Sequence, residues 1–432
     1  MKSAGRRRRS TSGRSAPGPP RRSPQANQGA SRGERIRCAG HPPGASPCDG
    51  SPHLRATDRP LRGAMGGLTI PRDEPIVSQR SARSRVTSTP LRVGLLGAGT
   101  VGREVARALL ARGAELTAAD GSPLELAGIA VRDVERARAA GLPGDLLTDA
   151  PAHLVASADT DVIVELMGGD EPARTLIAAA LDAGKGVVTA NKHVLAHHGE
   201  ELEAVARRAG AALRFEASVG GGIPVLGPLA TELAGNRISA VRGIVNGTTN
   251  YILTAMTDAG RDYGDVLAEA QAAGYAEADP SGDVEGHDAV NKVVILARLA
   301  FGVWLAPADV TTIGTDGPGA GSPGITGVGS ADIAAAAAAG LVVKLIAEAR
   351  RDDEAIVAAV LPTAVPAESA FGRTAGVLNR IEIEADPVGT VAFSGPGAGG
   401  PATSSAVLGD LIAIARGLGS TWAGLPPARG AR

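Results

Sequence analysis

The stretch that decides the fold is LRVGLLGAGTVG, residues 91–102. Its first half is an apolar run typical of a short buried strand, and the following EVARALLAR carries apolar side chains at helical spacing. A G-x-G-x-x-G pattern between a strand and a helix is the setting that a dinucleotide-binding turn requires. The stretch therefore predicts a cofactor-binding unit, and a glycine-rich turn in another α/β fold is the alternative.

Each glycine of the pattern has its own physical reason. Gly97 permits the tight turn, Gly99 lets the backbone approach a pyrophosphate, and Gly102 lets helix and strand pack closely. Thr100 and Val101 open the helix, whose N-terminus faces the phosphates. We expect these five residues to bind a dinucleotide, NADP or NAD.

Further apolar strands alternate with helical segments downstream, which predicts a parallel, doubly wound sheet. We place this first unit at residues 89–218. Its later strands are ELAGIAV (125–131), DVIVE (161–165), GVVTA (186–190) and LRFE (213–216).

Two positions at strand ends carry functional hypotheses. Arg132 follows the second strand, where an acidic residue usually binds the ribose 2′-hydroxyl, and Asp133 comes only next. An arginine there suits a 2′-phosphate and favours NADP, with a plain surface arginine as the alternative. Lys192 follows the fourth strand, at the edge where catalytic groups of parallel sheets collect.

Three histidines after Lys192 show no accompanying carboxylate or cysteine pattern. We therefore interpret His193, His197 and His198 as surface residues and not as metal ligands. The helix of this region is predicted over about 199–208.

Residues 219–394 are predicted to form a second unit. The loop SVGGGIP (218–224) follows Glu216, and a carboxylate with open carbonyl oxygens suits a hard cation, with an interdomain hinge as the alternative. An alanine-rich and then amphipathic helical pattern covers 331–349. Strands of an antiparallel sheet are expected at 356–361 and 381–383.

A second glycine-rich stretch, FSGPGAGG (393–400), leads into a helix predicted over 403–416. Its similarity to the first turn predicts that residues 395–420 return to the cofactor and complete the first unit, unless it is a mere turn. We expect residues 421–432 to be a flexible tail.

The acidic stretch GYAEADPSGDVEGHDAVNK, residues 274–292, places five carboxylates before one lysine. Asp288 and Lys292 lie four residues apart at the start of an apolar run, and helical spacing puts them on one face. A lysine beside carboxylates can donate a proton or bind a substrate group. By itself the stretch fits an ordinary solvated loop equally well.

Composition divides the chain into two parts. Residues 1–88 hold 18 Lys and Arg against 5 Asp and Glu, whereas the remainder holds 26 against 40. Both cysteines, Cys38 and Cys48, lie in the basic part, so the globular part has no thiol nucleophile or thiolate metal site. No apolar run reaches the roughly 18 residues of a membrane helix, and we expect no membrane association.

Residues 1–88 are rich in Arg, Pro, Ser and Gly, and we predict that they are disordered. They fit a nucleic-acid or anionic-surface tail, an arginine-rich transit peptide, or an inert upstream segment with Met65 as the true start.

Six blocks in order identify the family that the chain resembles. GLLGAGTVG, VVTANK, EASVGGGIP, IVNGTTNYIL, GYAEADPSGDVEGHDAVNKVVILA and FSGPGAGGPATSSAVLGDL are similar to homoserine dehydrogenase over about residues 91–418. The resemblance implies a Rossmann-type domain plus an α+β catalytic and dimerisation domain. It also implies interconversion of L-aspartate 4-semialdehyde and L-homoserine with NAD(P)H, on the route to threonine, methionine and isoleucine, by a cytoplasmic homodimer.

The resemblance also implies roles for single residues. Lys292 matches the proton donor, and Lys192 a lysine near substrate and nicotinamide. Glu277 and Asp288 match residues that bind the substrate's amino group. The remaining matches are cofactor contacts at Gly274 and Gly397, and a monovalent cation site, with sodium expected, at Glu216, Val219, Gly221 and Ile223.

The chemistry of the residue types agrees with this resemblance. Hydride transfer to an aldehyde builds negative charge on oxygen, which a nearby ammonium stabilises or protonates. Two alternatives stay open: a related reductase of another amino-acid aldehyde, and an inactive cofactor-binding protein that uses the basic tail on nucleic acid. Many bacterial members carry a C-terminal regulatory domain of the ACT type, and we expect no threonine feedback through such a domain here.

Overall fold

The structure is a computed structural model and describes residues 89–422 and 424–428. The predictions made for residues 1–88, including disorder, a targeting role and a start at Met65, lie outside the described residues. None of the described helices is long and apolar enough to cross a membrane.

Six short strands form the first sheet, and every pairing in it is parallel. They are β1 (Leu91–Leu96), β2 (Leu124–Ala130), β3 (Leu147–Thr148), β4 (Val162–Glu165), β5 (Gly186–Thr189) and β6 (Leu213–Arg214). Their spatial order is β3-β2-β1-β4-β5-β6, the order of a doubly wound dinucleotide-binding sheet. The predicted fold class is confirmed.

Five helices connect these strands. They are α1 (Thr100–Arg112), α2 (Val134–Ala139), α3 (Pro151–Ala156), α4 (Ala173–Asp182) and α5 (Lys192–Ala209). The start predicted for α5, near Gly199, was wrong. The helix begins at Lys192 because the side chain of Asn191 accepts the N–H of Val194 and so caps it (3.2 Å).

The second sheet is antiparallel and has five strands. They are β7 (Arg237–Ile244), β8 (Leu341–Asp352), β9 (Ala355–Pro366), β10 (Leu378–Asp386) and β11 (Gly389–Pro396), in the spatial order β11-β10-β7-β8-β9. The remaining helices are α6 (Leu226–Ala230), α7 (Gly247–Ala259), α8 (Tyr263–Ala272), α9 (Ser281–Val284), α10 (His287–Phe301), α11 (Ser330–Ala338) and α12 (Gly400–Ala415).

The helical pattern predicted over 331–349 was wrong in its second half. Helix α11 ends at Ala338, and Gly340 turns the chain with a positive φ of 72° into β8. Leu341–Asp352 then pairs with β9 along its whole length. Tertiary pairing overrides an apolar spacing that fits both a helix and a buried strand.

Helix α10 is the centre of the packing. Every residue from Ala289 to Leu299 is buried, and the helix packs against α5, α6 and the second sheet. A helix that is apolar nearly all round must be enclosed. Its first two turns contain Asp288 and Lys292, two of the candidate site residues.

Part of residues 421–432 is packed, which differs from the flexible tail that we expected. Trp422 is 2% exposed and its ring lies 5.4 Å from that of Phe215, centroid to centroid. The N–H of Thr421 donates to the carbonyl of Leu213 at the edge of β6 (3.0 Å). A buried tryptophan supplies enough apolar contact to order a short segment.

Candidate active site

The glycine turn after β1 has the geometry of a cofactor-binding turn. Gly97 has a φ of +97°, and a Cβ added there would lie 2.6 Å from the carbonyl oxygen of Leu166. A Cβ at Gly102 would lie 2.1 Å from the carbonyl oxygen of Gly97. A Cβ at Gly99, the residue before α1, would meet nothing within 4 Å, so its backbone is open to a ligand. These residues fit a pyrophosphate at the N-terminus of α1.

Arg132 and Asp133 follow β2 at the same edge of the sheet. Asp133 is committed to the protein, because its carboxylate accepts the N–H of Arg136 (2.9 Å) and caps α2. Arg132 is exposed. The acidic group that would bind a ribose 2′-hydroxyl is therefore engaged by the protein's own backbone, while the guanidinium faces solvent.

Asp288 lies between two lysine ammonium groups. Its Oδ1 is 2.9 Å from the Nζ of Lys192, and its Oδ2 accepts from the Nζ of Lys292 (2.6 Å). Lys192 opens α5 at the carboxyl end of β5, and the other two residues lie one turn apart on α10. The structure thus brings together three predicted site residues from segments about 100 positions apart.

Two further residues complete this cluster and were missed as site residues. The Nδ2 of Asn246 donates to Asp288 (2.9 Å) and to Asp283 (2.7 Å), while its Oδ1 accepts the N–H of Thr249 and caps α7. The sequence IVNGTTNYIL predicts Asn246 only as the cap of the helix that follows it. The signal that could have found it is its position two residues after the end of β7, the central strand of the second sheet.

Burial and charge set the protonation of the cluster. Burial alone would raise the pKa of Asp288, yet the charges of Lys292 and Lys192 outweigh it and hold that pKa far below its usual range. Burial lowers the pKa of Lys292, and the facing Asp288 offsets this only in part. Asp288 raises the pKa of Lys192 against the effect of its partial burial.

Glu277 and Gly274 lie on the exposed segment between α8 and α9. Gly274 has a φ of +77°, so it turns the chain out of α8. The charge of Glu277 adds to those of Asp288 and Asp283 in raising the pKa of Lys192. The glutamate therefore acts on the cluster through its charge, from its exposed rim.

The loop after β6 differs in part from the cation site that its sequence suggested. The carboxylate of Glu216 accepts the N–H groups of Val225, Leu226 and Gly227 at 2.7–2.8 Å. The Glu216 carboxylate therefore binds backbone N–H groups at the start of α6, and it is not directed at a cation in the loop. The carbonyl groups of three buried loop residues accept no hydrogen bond from any part of the chain that the structure describes; these residues are Val219, Gly221 and Ile223.

The second glycine-rich stretch, which contains Gly397, lies beside the loop after β6 and the N-terminus of α1. A Cβ on it would lie 1.9 Å from the Nδ2 of Asn379, and a Cβ on Gly221 would lie 2.5 Å from the Gly397 carbonyl oxygen. A Cβ on Gly400, the first residue of α12, would lie 3.0 Å from the carbonyl oxygen of Thr100. The N-termini of α1 and α12 are therefore neighbours, and the loop after β6 lies beside them.

The three histidines of α5 have a carboxylate neighbour that the sequence pattern did not reveal. The Nε2 of His198 is 2.8 Å from the Oδ1 of Asp170, and that of His193 is 4.0 Å from the same atom. Burial lowers the pKa of His197. Within residues 89–422 and 424–428, no group of three or more His, Cys, Asp or Glu side chains is arranged to bind a metal ion.

Two family models match the chain. The NAD-binding domain of homoserine dehydrogenase matches residues 97–216, and homoserine dehydrogenase itself matches residues 224–412. Together with the sheet order and the open glycine turn, the first match defines an NAD(P)-dependent oxidoreductase.

Relatives of known name give the family. The homoserine dehydrogenase of Corynebacterium glutamicum is 46% identical over 329 residues, which is 75% of this chain and 72% of the relative. The homoserine dehydrogenase of Mycobacterium tuberculosis is 45% identical over 332 residues, 76% of this chain and 73% of the relative. The solved homoserine dehydrogenase of Thiobacillus denitrificans has a TM-score of 0.73 and 37% identity, covering 79% of each chain.

The chain belongs to the homoserine dehydrogenase family. It interconverts L-aspartate 4-semialdehyde and L-homoserine with NAD(P)H. A hyperthermophilic archaeal homoserine dehydrogenase, solved in complex with NADPH, has a TM-score of 0.63 and 25% identity, covering 79% of this chain and 100% of that one. These matches support the dehydrogenase over the reductase of another aldehyde and over the inactive cofactor-binding protein.

Proposed function

We propose that Lys192, Asp288 and Lys292 form the catalytic centre of this reaction. One observation carries the proposal: a single carboxylate, 10% exposed, pairs with two ammonium groups through its two separate oxygens. The three side chains lie where the carboxyl end of β5 meets the first two turns of α10. Charge that develops on a substrate oxygen there meets positive groups already fixed in place, and such preorganised groups stabilise a transition state.

Lys292 donates the proton in the reductive direction. An ammonium has three hydrogens, and two of these are engaged by the Val245 carbonyl (2.6 Å) and by Asp288. The third hydrogen is available to the aldehyde oxygen. NAD(P)H, when bound, supplies the hydride to the aldehyde carbon. The proton passes from the Lys292 Nζ to the oxygen, and in the oxidative direction the neutral amine takes it from the hydroxyl. A pKa lowered by burial favours this exchange near neutral pH.

Lys192 and Glu277 bind the rest of the substrate. The side chain of Lys192 is 41% exposed, against 9% for Lys292, so it faces the space from which substrate enters. Glu277 lies on the exposed rim and, together with Asp288, attracts the α-ammonium group of the substrate. Opposite charges arranged in this way orient the reacting carbon toward Lys292.

The cofactor is bound at the neighbouring N-termini of α1 and α12. Gly97, Gly99, Thr100, Val101 and Gly102 form the pyrophosphate turn, and two further backbone contacts are assigned to Gly274 and Gly397. NADP is preferred over NAD, because Asp133 is engaged in a helix cap while Arg132 is exposed for a 2′-phosphate. Arg132→Ala should raise the KM for NADP selectively, whereas the surface variant Arg107→Ala should not.

A monovalent cation, with sodium expected, binds the loop after β6. Support comes from the carbonyl groups of Val219, Gly221 and Ile223, which are buried and lack hydrogen-bond donors in the described chain. The residue Glu216 contributes through its position in the loop and not through its carboxylate. Replacing sodium and potassium by choline in the assay should lower activity, and restoring sodium should recover it; equal rates in both buffers would remove this site.

The working enzyme is a cytoplasmic homodimer. Val377 and Leu378, at the start of β10, are each 45% exposed, and Val388, in the turn after β10, is 51% exposed. Large apolar side chains exposed along this strand support its burial in an interface between subunits. Light scattering coupled to gel filtration should give twice the mass of one chain, and a monomer at micromolar concentration would refute this proposal.

The central experiment measures the homoserine-dependent rise in NAD(P)H absorbance with both cofactors. Lys292→Ala should lower kcat by at least about a thousandfold and leave cofactor affinity unchanged, because it removes the proton donor and not the glycine turn. Lys185→Ala is the matched control, since Lys185 lies before β5 at the opposite edge of the sheet. An active Lys292→Ala variant would remove Lys292 from this role.

A further inference from the structure

Glu165 is a buried carboxylate that the reaction as described does not use. It is the last residue of β4 and is 0% exposed. In the sheet it lies opposite Leu96, which precedes the cofactor turn, and opposite Thr189, which precedes the segment of Lys192. Glu165 therefore occupies the point between the two strands that lead to the cofactor and to the catalytic lysine.

The carboxylate is met by three hydrogen-bond donors. Its Oε1 accepts the N–H groups of Met167 (2.8 Å) and Gly168 (3.2 Å), and its Oε2 accepts the hydroxyl of Thr189 (2.6 Å). All three donors are neutral. Burying a carboxylate is costly unless its oxygens accept hydrogen bonds. The three donors therefore fix the position of the Glu165 carboxylate.

The contacts continue from Thr189 to the first turn of α5. The Thr189 hydroxyl oxygen accepts the N–H of Asn191 (2.9 Å), and the Asn191 side chain donates to the Gly169 carbonyl (2.8 Å). The same side chain caps α5, whose first residue is Lys192. The contacts thus close a ring that joins Glu165, the loop at 167–169 and the helix start.

The same loop also reaches the cofactor turn. The carbonyl oxygen of Leu166 lies so close to Gly97 that a side chain at Gly97 would collide with it. A shift of residues 166–169 would therefore move Lys192 and the glycine turn relative to each other. Displacements of about 1 Å between reacting groups can lower a rate on the order of 10²-fold.

We infer that Glu165 is a positioning residue, which fixes the ammonium group of Lys192 against the cofactor turn through Thr189 and Asn191. The inference rests on the proposed catalytic role of Lys192. Glu165 touches neither substrate nor cofactor in this arrangement. Glu165 affects the rate because it fixes the start of α5, and therefore the position of Lys192.

Glu165→Gln keeps the size of the side chain and replaces one acceptor oxygen by an amide donor that faces the Thr189 hydroxyl. We expect kcat for homoserine oxidation to fall about 10- to 100-fold while the KM for homoserine changes less than about threefold. Glu125→Gln, on the exposed side of β2, is the matched control and should behave as the unaltered enzyme.

The decisive measurement is a double-mutant cycle with Lys192→Ala. If Glu165 acts through Lys192, adding Glu165→Gln to Lys192→Ala should lower kcat less than about twofold further. A general structural role would instead lower kcat by the full factor in both backgrounds, and that result would overturn the inference. Thr189→Val removes the same hydrogen bond with little change in volume, and it carries the test if Glu165→Gln does not fold.

The cycle also separates this inference from the proposal on which it rests. A Lys192→Ala variant with unaltered kcat would overturn both the catalytic role of Lys192 and the positioning role of Glu165. An impaired Lys192→Ala variant together with an unaltered Glu165→Gln variant would overturn the positioning role alone.

Discussion

Asp288 sets the charge of the whole site. Lys192 and Lys292 would repel each other if their ammonium groups lay without a counter-ion in a partly buried pocket. The Asp288 carboxylate between them offsets this repulsion and fixes the positions of both ammonium groups. Asn246 adds a neutral donor to the same carboxylate, which limits its rotation.

Asp288→Asn should lower kcat/KM by at least about a hundredfold, because it leaves two lysines without a counter-ion. The carboxylate raises the pKa of Lys292, so its removal should lower that pKa further. The limb of the pH–rate profile that reports Lys292 should therefore move to lower pH. Asp279→Asn, an exposed change in the same acidic stretch, is the control. A profile that moves to higher pH would contradict this account.

A second buried lysine lies away from the reaction. The Nζ of Lys344 donates to Asn250 (3.0 Å), Thr254 (3.3 Å) and the carbonyl of Thr374 (2.8 Å). Burial lowers the pKa of Lys344 to about 8, from an ordinary value of 10.5. The ammonium joins β8, α7 and the segment before β10, and it does so without a carboxylate partner among these three contacts.

This lysine predicts a pH dependence of stability. Between the two pKa values the unfolded chain binds the proton more tightly than the folded one, so the contribution of Lys344 to stability rises with pH through this range. Relative to Lys344→Met, the free energy of unfolding should increase by about 2 kcal/mol between about pH 7.5 and about pH 9.5. Urea unfolding of both proteins at the two pH values measures it. If the difference in unfolding free energy between the two proteins stays constant or falls as the pH rises, the lowered pKa of Lys344 is refuted.

At the scale of elements, Glu203 joins the two helices that carry the proposed catalytic residues. It lies on α5, and its carboxylate accepts from Arg298 on α10 (2.6 and 2.8 Å) and from the indole of Trp304 (2.9 Å). Arg207 donates to it as well (2.8 Å). Because α5 begins with Lys192 and α10 contains Lys292, this ion pair helps to fix the two helices that carry the proposed catalytic lysines.

Glu203→Gln should lower the free energy of unfolding by about 3–5 kcal/mol, since it leaves the buried charge of Arg298 without its partner. Burial opposes ionisation, yet the hydrogen bonds of Arg298 and Trp304 outweigh it and lower the pKa of Glu203 below its ordinary 4.5. The stabilisation is therefore present above about pH 4.5 and is lost as the pH falls. Denaturant unfolding tests this, with Glu200→Gln on the exposed face of α5 as control.

The sequence predicts elements best where local and tertiary requirements agree. Strand β1 and the glycine turn are specified by residues 91–102 themselves, so their bounds follow from the pattern. Strand β8 is different, because its apolar spacing suits a helix equally well and only pairing with β9 decides it. The second half of strand β11, residues 393–396, lies in the glycine-rich stretch that we interpreted as a loop or turn, because its alternating exposure needs β10 as a neighbour.

The site follows the same rule. Lys192, Asp288 and Lys292 could be proposed because strand ends and helical spacing are local signals. Asn246 and Glu165 could not be assigned, because their partners come from elements that only folding brings near. Contacts across such distances along the chain are not specified by any window of sequence.

At the scale of the whole molecule, the chain closes on itself through its last described segment. The carbonyl of Pro426 accepts from Arg298 (2.9 Å), and Arg207 donates to the carbonyl of Leu425 (3.0 Å). Trp422 lies under this segment against Phe215. Residues 420–422 and 424–426 therefore cover the edge of β6 and also contact α10, so they connect the parallel sheet with the central helix.

Trp422→Ala should consequently destabilise both parts of the molecule together. Loss of a fully buried tryptophan costs about 3–5 kcal/mol, and the cavity would lie where the segment meets Phe215. The measurement uses the remaining tryptophan. The chain has two tryptophans, so in the Trp422→Ala variant Trp304 is the only indole, and its fluorescence reports on the contact between α5 and α10 through Glu203.

Fluorescence and circular dichroism of the variant should give one coincident unfolding transition, with its midpoint at a lower denaturant concentration than in the unaltered protein. Leu418→Ala, at a side chain that is 60% exposed, should leave the midpoint unchanged. Two separate transitions for Trp422→Ala would mean that the segment stabilises only the parallel sheet.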